Sequence, residues 1–69
     1  MEYYKIVLER KCTATNKWLL VARFRYNVDA QPCAKLLSKL DQTSYRILDT
    51  RWPDEGDDIT VYVNGEIAS

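Results

Sequence analysis

Sixty-nine residues with ten basic and ten acidic side chains, no histidine, two cysteines and 46% hydrophobic residues describe one small, electrically balanced domain over 1–69. A chain this short buries only about 60% of the surface its unfolded form exposes, which leaves room for one core and none for a large enclosed cofactor. The sequence predicts neither a membrane span nor an export signal, because its charge-free runs are far below the roughly 20 residues that cross a bilayer and MEYYKIVLERK holds no apolar stretch ending at a small-residue cleavage site.

The predicted elements follow in chain order. Residues 3–11, YYKIVLERK, alternate with Tyr4, Ile6 and Leu8 on one face and Tyr3, Lys5, Val7, Glu9 and Lys11 on the other, the period of a strand. CTATNK is a short polar turn. KWLLVARFRY then repeats the alternation, with Trp18, Leu20, Ala22, Phe24 and Tyr26 together and Leu19, Val21, Arg23 and Arg25 opposite, so the two strands form an antiparallel hairpin. Asp29 is the expected N-cap of an amphipathic helix of about three turns, with Pro32 in its first turn and Ala30, Cys33, Ala34, Leu37 and Leu40 on its inner face. Residues 44–52 read as a third strand stopped by Pro53, and DEGDD follows as an acidic loop. Residues 59–63, ITVYV, form a fourth strand with Ile59, Val61 and Val63 on one face and Thr60 and Tyr62 on the other. Asn64-Gly65 is a type I′ turn signal, after which residues 66–69 fold back as a stub or fray.

The expected fold is α+β, a single helix packed on a four-stranded antiparallel sheet in the order β-β-α-β-β. Its expected core is Ile6, Leu8, Trp18, Leu20, Phe24, Leu37, Leu40 and Val61. One helix covers one sheet face, so the other meets water or a partner. That open face is expected to hold Tyr3, Val7, Leu19, Val21 and a tyrosine of the second hairpin among Lys5, Arg23 and Arg25.

Charge is unevenly spread: residues 1–28 carry six bases against Glu2 and Glu9 (+4), residues 29–52 four bases against three acids (+1), and residues 53–69 five acids and no base (−5). The acids Asp54, Glu55, Asp57 and Asp58 lack the ligand spacing of a calcium loop and read as a hairpin tip able to meet a basic surface. With no histidine, no nucleophile stands beside a base, so the chain is read as a non-enzyme with no catalytic residue. Two cysteines without an export signal read as reduced thiols of a cytoplasmic protein, and without histidine they complete no zinc site. No metal and no cofactor is expected. Arg23, Arg25 and Lys5 beside tyrosines suit phosphates and bases, yet the sequence pI near 6.2 is far below the basic footprint of a dedicated nucleic-acid domain.

In size and in layout across the whole chain, a sheet plus one helix carrying the run Asp29-Ala30-Gln31-Pro32-Cys33-Ala34-Lys35-Leu36-Leu37-Ser38-Lys39, the protein resembles small proteins of phages and prophages, among them some anti-CRISPR proteins. The start YYKIVLERK with a tryptophan at position 18 resembles short lambdoid prophage proteins. The resemblance implies a compact inhibitor that binds a host defence or regulatory complex in the host cytoplasm. Its partner-binding residues are expected among Lys5, Arg23, Arg25, Tyr3, Leu19, Val21, Asp54, Glu55, Asp57 and Asp58. The alternatives are a nucleic-acid-binding regulator and a homo-oligomeric structural module, a homodimer being the simplest form.

Overall fold

The computed structural model describes residues 4–51 and 58–68. Their elements are β1 (Ile6–Cys12), β2 (Lys17–Phe24), α1 (Asn27–Asp41), β3 (Tyr45–Asp49), β4 (Asp58–Val63) and β5 (Glu66–Ile67). The fold is α+β as expected. The five strands form one sheet in the order β2-β1-β3-β4-β5, antiparallel at every step, so the stub after Asn64-Gly65 is a fifth strand. The chain crosses from the β2 edge to the far side of β1 through α1, which lies mainly over β3, then β4 and β1, and touches β2 least.

Local chemistry sets the turns. Asn16 sits at φ 59 and donates its N–H to the Cys12 carbonyl (2.7 Å), closing the β1–β2 hairpin with a residue that tolerates the left-handed region. Asn64 (φ 53) and Gly65 (φ 82) make the type I′ turn that two-residue hairpins favour. The helix begins two residues before the expected cap. Tyr26 is the N-cap and supplies no side-chain hydrogen bond, while Asp29 lies inside the first turn, where its carboxylate faces the positive end of the helix dipole. Pro32 is the sixth helical residue rather than part of the first turn, and it has no N–H to return to the Val28 carbonyl.

The core is Ile6, Leu8, Ala30, Ala34, Tyr45, Ile47 and Tyr62, with Phe24, Cys33 and Leu37 half-buried against it. The inner helical stripe, Ala30, Ala34 and Ser38, is made of small residues because the sheet supplies the bulk: Tyr45 and Tyr62 are cross-strand partners beneath it. Four expected core residues lie elsewhere. Leu20 and Leu40 are exposed (56% and 67%), and Trp18 and Val61 are half-buried. Tyr62, expected on the open face, is 95% buried under the helix instead.

For β2 the cause is a bulge. Leu8 pairs with Ala22 but Glu9 pairs with Leu20, so Val21 is the extra residue and the alternation inverts there. Phe24 and Ala22 share the helix side with Ile6 and Leu8. Beyond the bulge Leu20 and Trp18 join Glu9 and Lys11 on the open side, and Leu19 turns to the helix side with Arg10. This overturns the expected placement of Trp18 and Leu20 in the core and of Leu19 on the open face.

The β4–β5 turn is locked to the helix through one buried hydroxyl. Ser38 Oγ donates to the Lys35 carbonyl (3.1 Å) and accepts the Gly65 N–H (2.9 Å). A Cβ on Gly65 would stand 3.2 Å from Lys39 Cβ and would also be strained by the positive φ. Ser38→Ala leaves the Gly65 N–H without its acceptor and is expected to lower stability by about 1–3 kcal/mol. Ile47→Ala, at a buried core position, is expected to cost about 2–5 kcal/mol. Urea unfolding of each variant measures both, and an Ile47→Ala loss below about 1 kcal/mol would contradict this core.

Candidate binding face

The sheet face turned away from α1 presents two rows that run from β2 to β4. Cross-strand register sets Arg23, Val7, Leu48 and Ile59 side by side in one, and Leu20, Glu9, Arg46 and Val61 in the next. Val63 and Glu66, also paired, extend the face to β5. Val7, Leu48 and Val61 are half-buried by their neighbours, while Leu20, Ile59 and Val63 are exposed. A strand covered on one side only would alternate apolar with polar, and here β4 places three β-branched aliphatics outward.

A charged cluster crosses this apolar ground. Arg46 Nε donates to Glu9 Oε1 (2.7 Å), and the Arg46 guanidinium stands 4.3 Å from the centre of the Trp18 ring, with Lys11 Nζ at 5.7 Å. Each such contact contributes about 0.5–1 kcal/mol at a partly exposed site, so the cluster matters chiefly by fixing the indole in one orientation. Tryptophan and arginine held rigid in a half-buried setting are the residue types that carry most binding energy in protein interfaces. Trp18 and Arg46 were not among the residues expected here from the alternation; the bulge hides the first, and only the β1–β3 register brings in the second.

Of the expected partner-binding residues, Arg23 lies on β2 opposite Val7, and Lys5 lies just before β1 at the same end of the sheet. Arg25, just past β2, stands 5.8 Å from the Tyr4 ring. Lys5 anchors the β3 end through its carbonyl, which accepts from both Thr50 N–H (3.1 Å) and Thr50 Oγ1 (2.7 Å). Val21 is the bulge residue at the β2 edge. Asp58 opens β4 on the helix side, directly opposite Asp49. Tyr3, Asp54, Glu55 and Asp57 lie outside the described residues.

Two carboxylates opposite one another repel, and Arg51 answers that at Asp49: its Nε and Nη2 reach Oδ1 (2.9 Å) and Oδ2 (2.6 Å), and its backbone N–H also donates to Oδ1 (3.1 Å). These hydrogen bonds hold the buried Asp49 carboxyl below the usual carboxylate range against the opposing effect of burial. Tyr45 is pushed up, first by burial and then by the hydrogen bond its hydroxyl donates to Asp41 Oδ2 (2.5 Å). Both cysteines carry free thiols and both are half-buried. The Cys12 thiol is lowered by the Thr15 side chain and by the Thr15 and Ala14 amides in the hairpin turn. Among the described residues no cluster of three or more histidine, cysteine or acidic side chains could hold a metal ion, and no helix is long and apolar enough to cross a membrane.

The fold and the face together define a two-layer α+β domain with one apolar, cation-edged sheet surface that no described element covers. No family model, no curated protein and no solved structure matches the chain.

Two measurements check this chemistry. Asp49→Asn is expected to lower stability at neutral pH by about 1–3 kcal/mol. Because the folded carboxyl is depressed, its contribution is present above the unfolded pKa and is lost as pH falls through the folded one, so the deficit should vanish in acid. Cys12 should be alkylated faster than Cys33 near neutral pH, and equal rates in the native protein would contradict the activation of Cys12.

Proposed function

We propose that the chain is a non-enzymatic binding protein that occupies a surface of a host protein complex with its open sheet face, and that it belongs to the phage or mobile-element inhibitor type its size and layout resemble. The observation that supports this reading is the pairing, on one uncovered face, of an aliphatic centre (Val7, Leu48, Val61, Ile59) with a fixed Trp18 and with cations at its margin (Lys5, Lys11, Arg23). An apolar centre with a charged rim is the anatomy of a specific protein interface, and the cations select a partner whose own rim is acidic. Burying about 25 cal/mol for each Å² of apolar surface removed from water drives such contact, and the rim charges set encounter rate and specificity.

Site-specific photo-crosslinking in host cells tests the reading. A crosslinker at Leu48 should capture a host protein, one at Lys39 on the helix should not, and Arg23→Glu with Arg25→Glu should abolish capture while the circular dichroism spectrum stays unchanged. The competing reading is decided by anisotropy with labelled duplex and single strands at two salt concentrations. Sub-micromolar, steeply salt-dependent binding that the same double reversal removes would replace the protein-surface reading with a nucleic-acid one.

A further inference from the structure

The two tyrosines beneath the helix, Tyr45 and Tyr62, are cross-strand partners and are only 2% and 5% exposed, yet their hydroxyls fare differently. The Tyr45 hydroxyl donates to Asp41, whereas the Tyr62 hydroxyl has no hydrogen-bond partner among the described residues. Among those residues no side-chain oxygen or nitrogen is fully buried without a partner, so this hydroxyl opens onto a void. The void that Tyr62 lines is a cleft of about 530 Å³ between α1 and the β4–β5 hairpin, with Gln31, Pro32 and Lys35 on its helix wall and Gly65 and Ile67 on the other. Sites for small ligands have volumes of about 300–1,000 Å³ and combine apolar walls with a few convergent polar groups. Burial pushes the Tyr62 hydroxyl up from its ordinary value, so it keeps its proton at neutral pH and stands ready to donate.

The other polar groups of the cleft are donors too. Gln31 and Lys35 stand one helical turn apart on the flank beside the Ala30–Ala34–Ser38 stripe, and neither side chain makes a hydrogen bond or ion pair. Glu66 also borders the cleft, but it pairs with Val63 in the open-face row, so register turns its carboxylate to the other side of the sheet. Ile67 pairs with Tyr62 and therefore lies on the helix side, where it is 66% exposed opposite Pro32. One end is closed because Gly65, lacking a Cβ and bonded through its N–H to Ser38, brings the turn against Lys39. We propose that this cleft binds a carboxylate joined to an apolar group, the carboxylate held by the Lys35 ammonium and the Tyr62 hydroxyl with the Gln31 amide beside them, and the apolar body lying between Pro32 and Ile67. A single cation matches a single negative charge; the second charge of a phosphate would be left uncompensated against apolar walls. A free organic acid and the last residue of a peptide both present this chemistry. The cleft lies on the helix side of the sheet, so the inference does not rest on what the open face binds.

Nuclear magnetic resonance titration of the full chain with 3-phenylpropionate, and separately with an N-acetylated tripeptide ending in leucine, tests this, each probe run beside its neutral carboxamide. Both acids should move the amide signals of Lys35, Gly65 and Ile67 and leave those of Val7 and Leu48 in place, and the carboxamides should move neither set. Tighter binding of the peptide assigns the site to a chain end, and equal or weaker binding assigns it to a free acid. Tyr62→Phe keeps the ring and removes only the hydroxyl, so it should weaken binding about tenfold or more while the urea midpoint stays where it is. Lys35→Gln, at an exposed position where glutamine suits a helix, should weaken binding at least as much with unchanged circular dichroism. Absence of any shift with either acid at millimolar concentration overturns the proposal, as do equal shifts with the carboxamides or shifts confined to the open face. A lowered urea midpoint for Tyr62→Phe also overturns it, because the hydroxyl would then serve the fold. Both variants should leave crosslinking from Leu48 unchanged, which separates this site from the proposed function.

Discussion

A single fifteen-residue helix can turn one stripe toward one face of a sheet, and this sheet has two faces. Everything distinctive about the molecule follows from that shortage of cover. On the helix side the shortage is met by close approach: Ala30, Ala34 and Ser38 let the helix sit down on Tyr45 and Tyr62, so a few large side chains fill the space that a second helix would otherwise occupy. The Ser38 hydroxyl, beside the Tyr45–Asp41 hydrogen bond, adds a polar link to this interface, tying the β4–β5 turn to the helix so that the last strand adds to the sheet instead of fraying. On the other side nothing of the described chain covers the aliphatic rows, and that face becomes the surface on which a function is read.

The bulge at Val21 decides what kind of surface it is. Without it, Trp18 would stand under the helix and Leu19 would face outward. With it, the indole is delivered to the open face within reach of Arg46 and Lys11, and the guanidinium that holds it is itself held by Glu9. One inserted residue therefore exchanges a core tryptophan for a rigid surface one. It also leaves the β2 edge apolar toward both layers, which is why the same irregularity bears on both the open face and the edge. Bulges commonly blunt edge strands against indiscriminate pairing.

Electrostatics is arranged locally and not as a uniform field. Asp49, paired across the strands with Asp58, is held by the Arg51 fork, and Glu9 is matched by Arg46. The cations at the margin of the open face have the opposite arrangement, lying on β1 and β2 next to aliphatic neighbours. Of the six acids among the described residues only Glu9 and Glu66 lie on the open face, against Lys11, Arg23 and Arg46, so a zero net charge coexists with a face of net positive sign.

The order of strands and helix was legible in the sequence because period-two and period-3.6 patterning and Asn-Gly are local signals read by the chain itself, although the third strand, expected over 44–52, ends at Asp49 and Pro53 lies outside the described residues. The alternation of β1 was legible for the same reason, and so was the presence of one face without a helix, since a single helix is countable from sequence. Three things were decided only by tertiary structure. The bulge has no residue signature in KWLLVARF: it exists because β1 and β2 are paired in a register that leaves Val21 over, and it moved Trp18, Leu19 and Leu20 to the faces opposite those that strict alternation assigns. The helical phase was set by volume, not by hydrophobicity. Two tyrosines on neighbouring strands select the alanine and serine stripe and leave Leu40 outside. The binding cluster, finally, joins Glu9, Trp18 and Arg46 from three strands and from positions up to 37 residues apart, a proximity that depends on β3 pairing with β1 across the helix crossover and on nothing that any one segment contains.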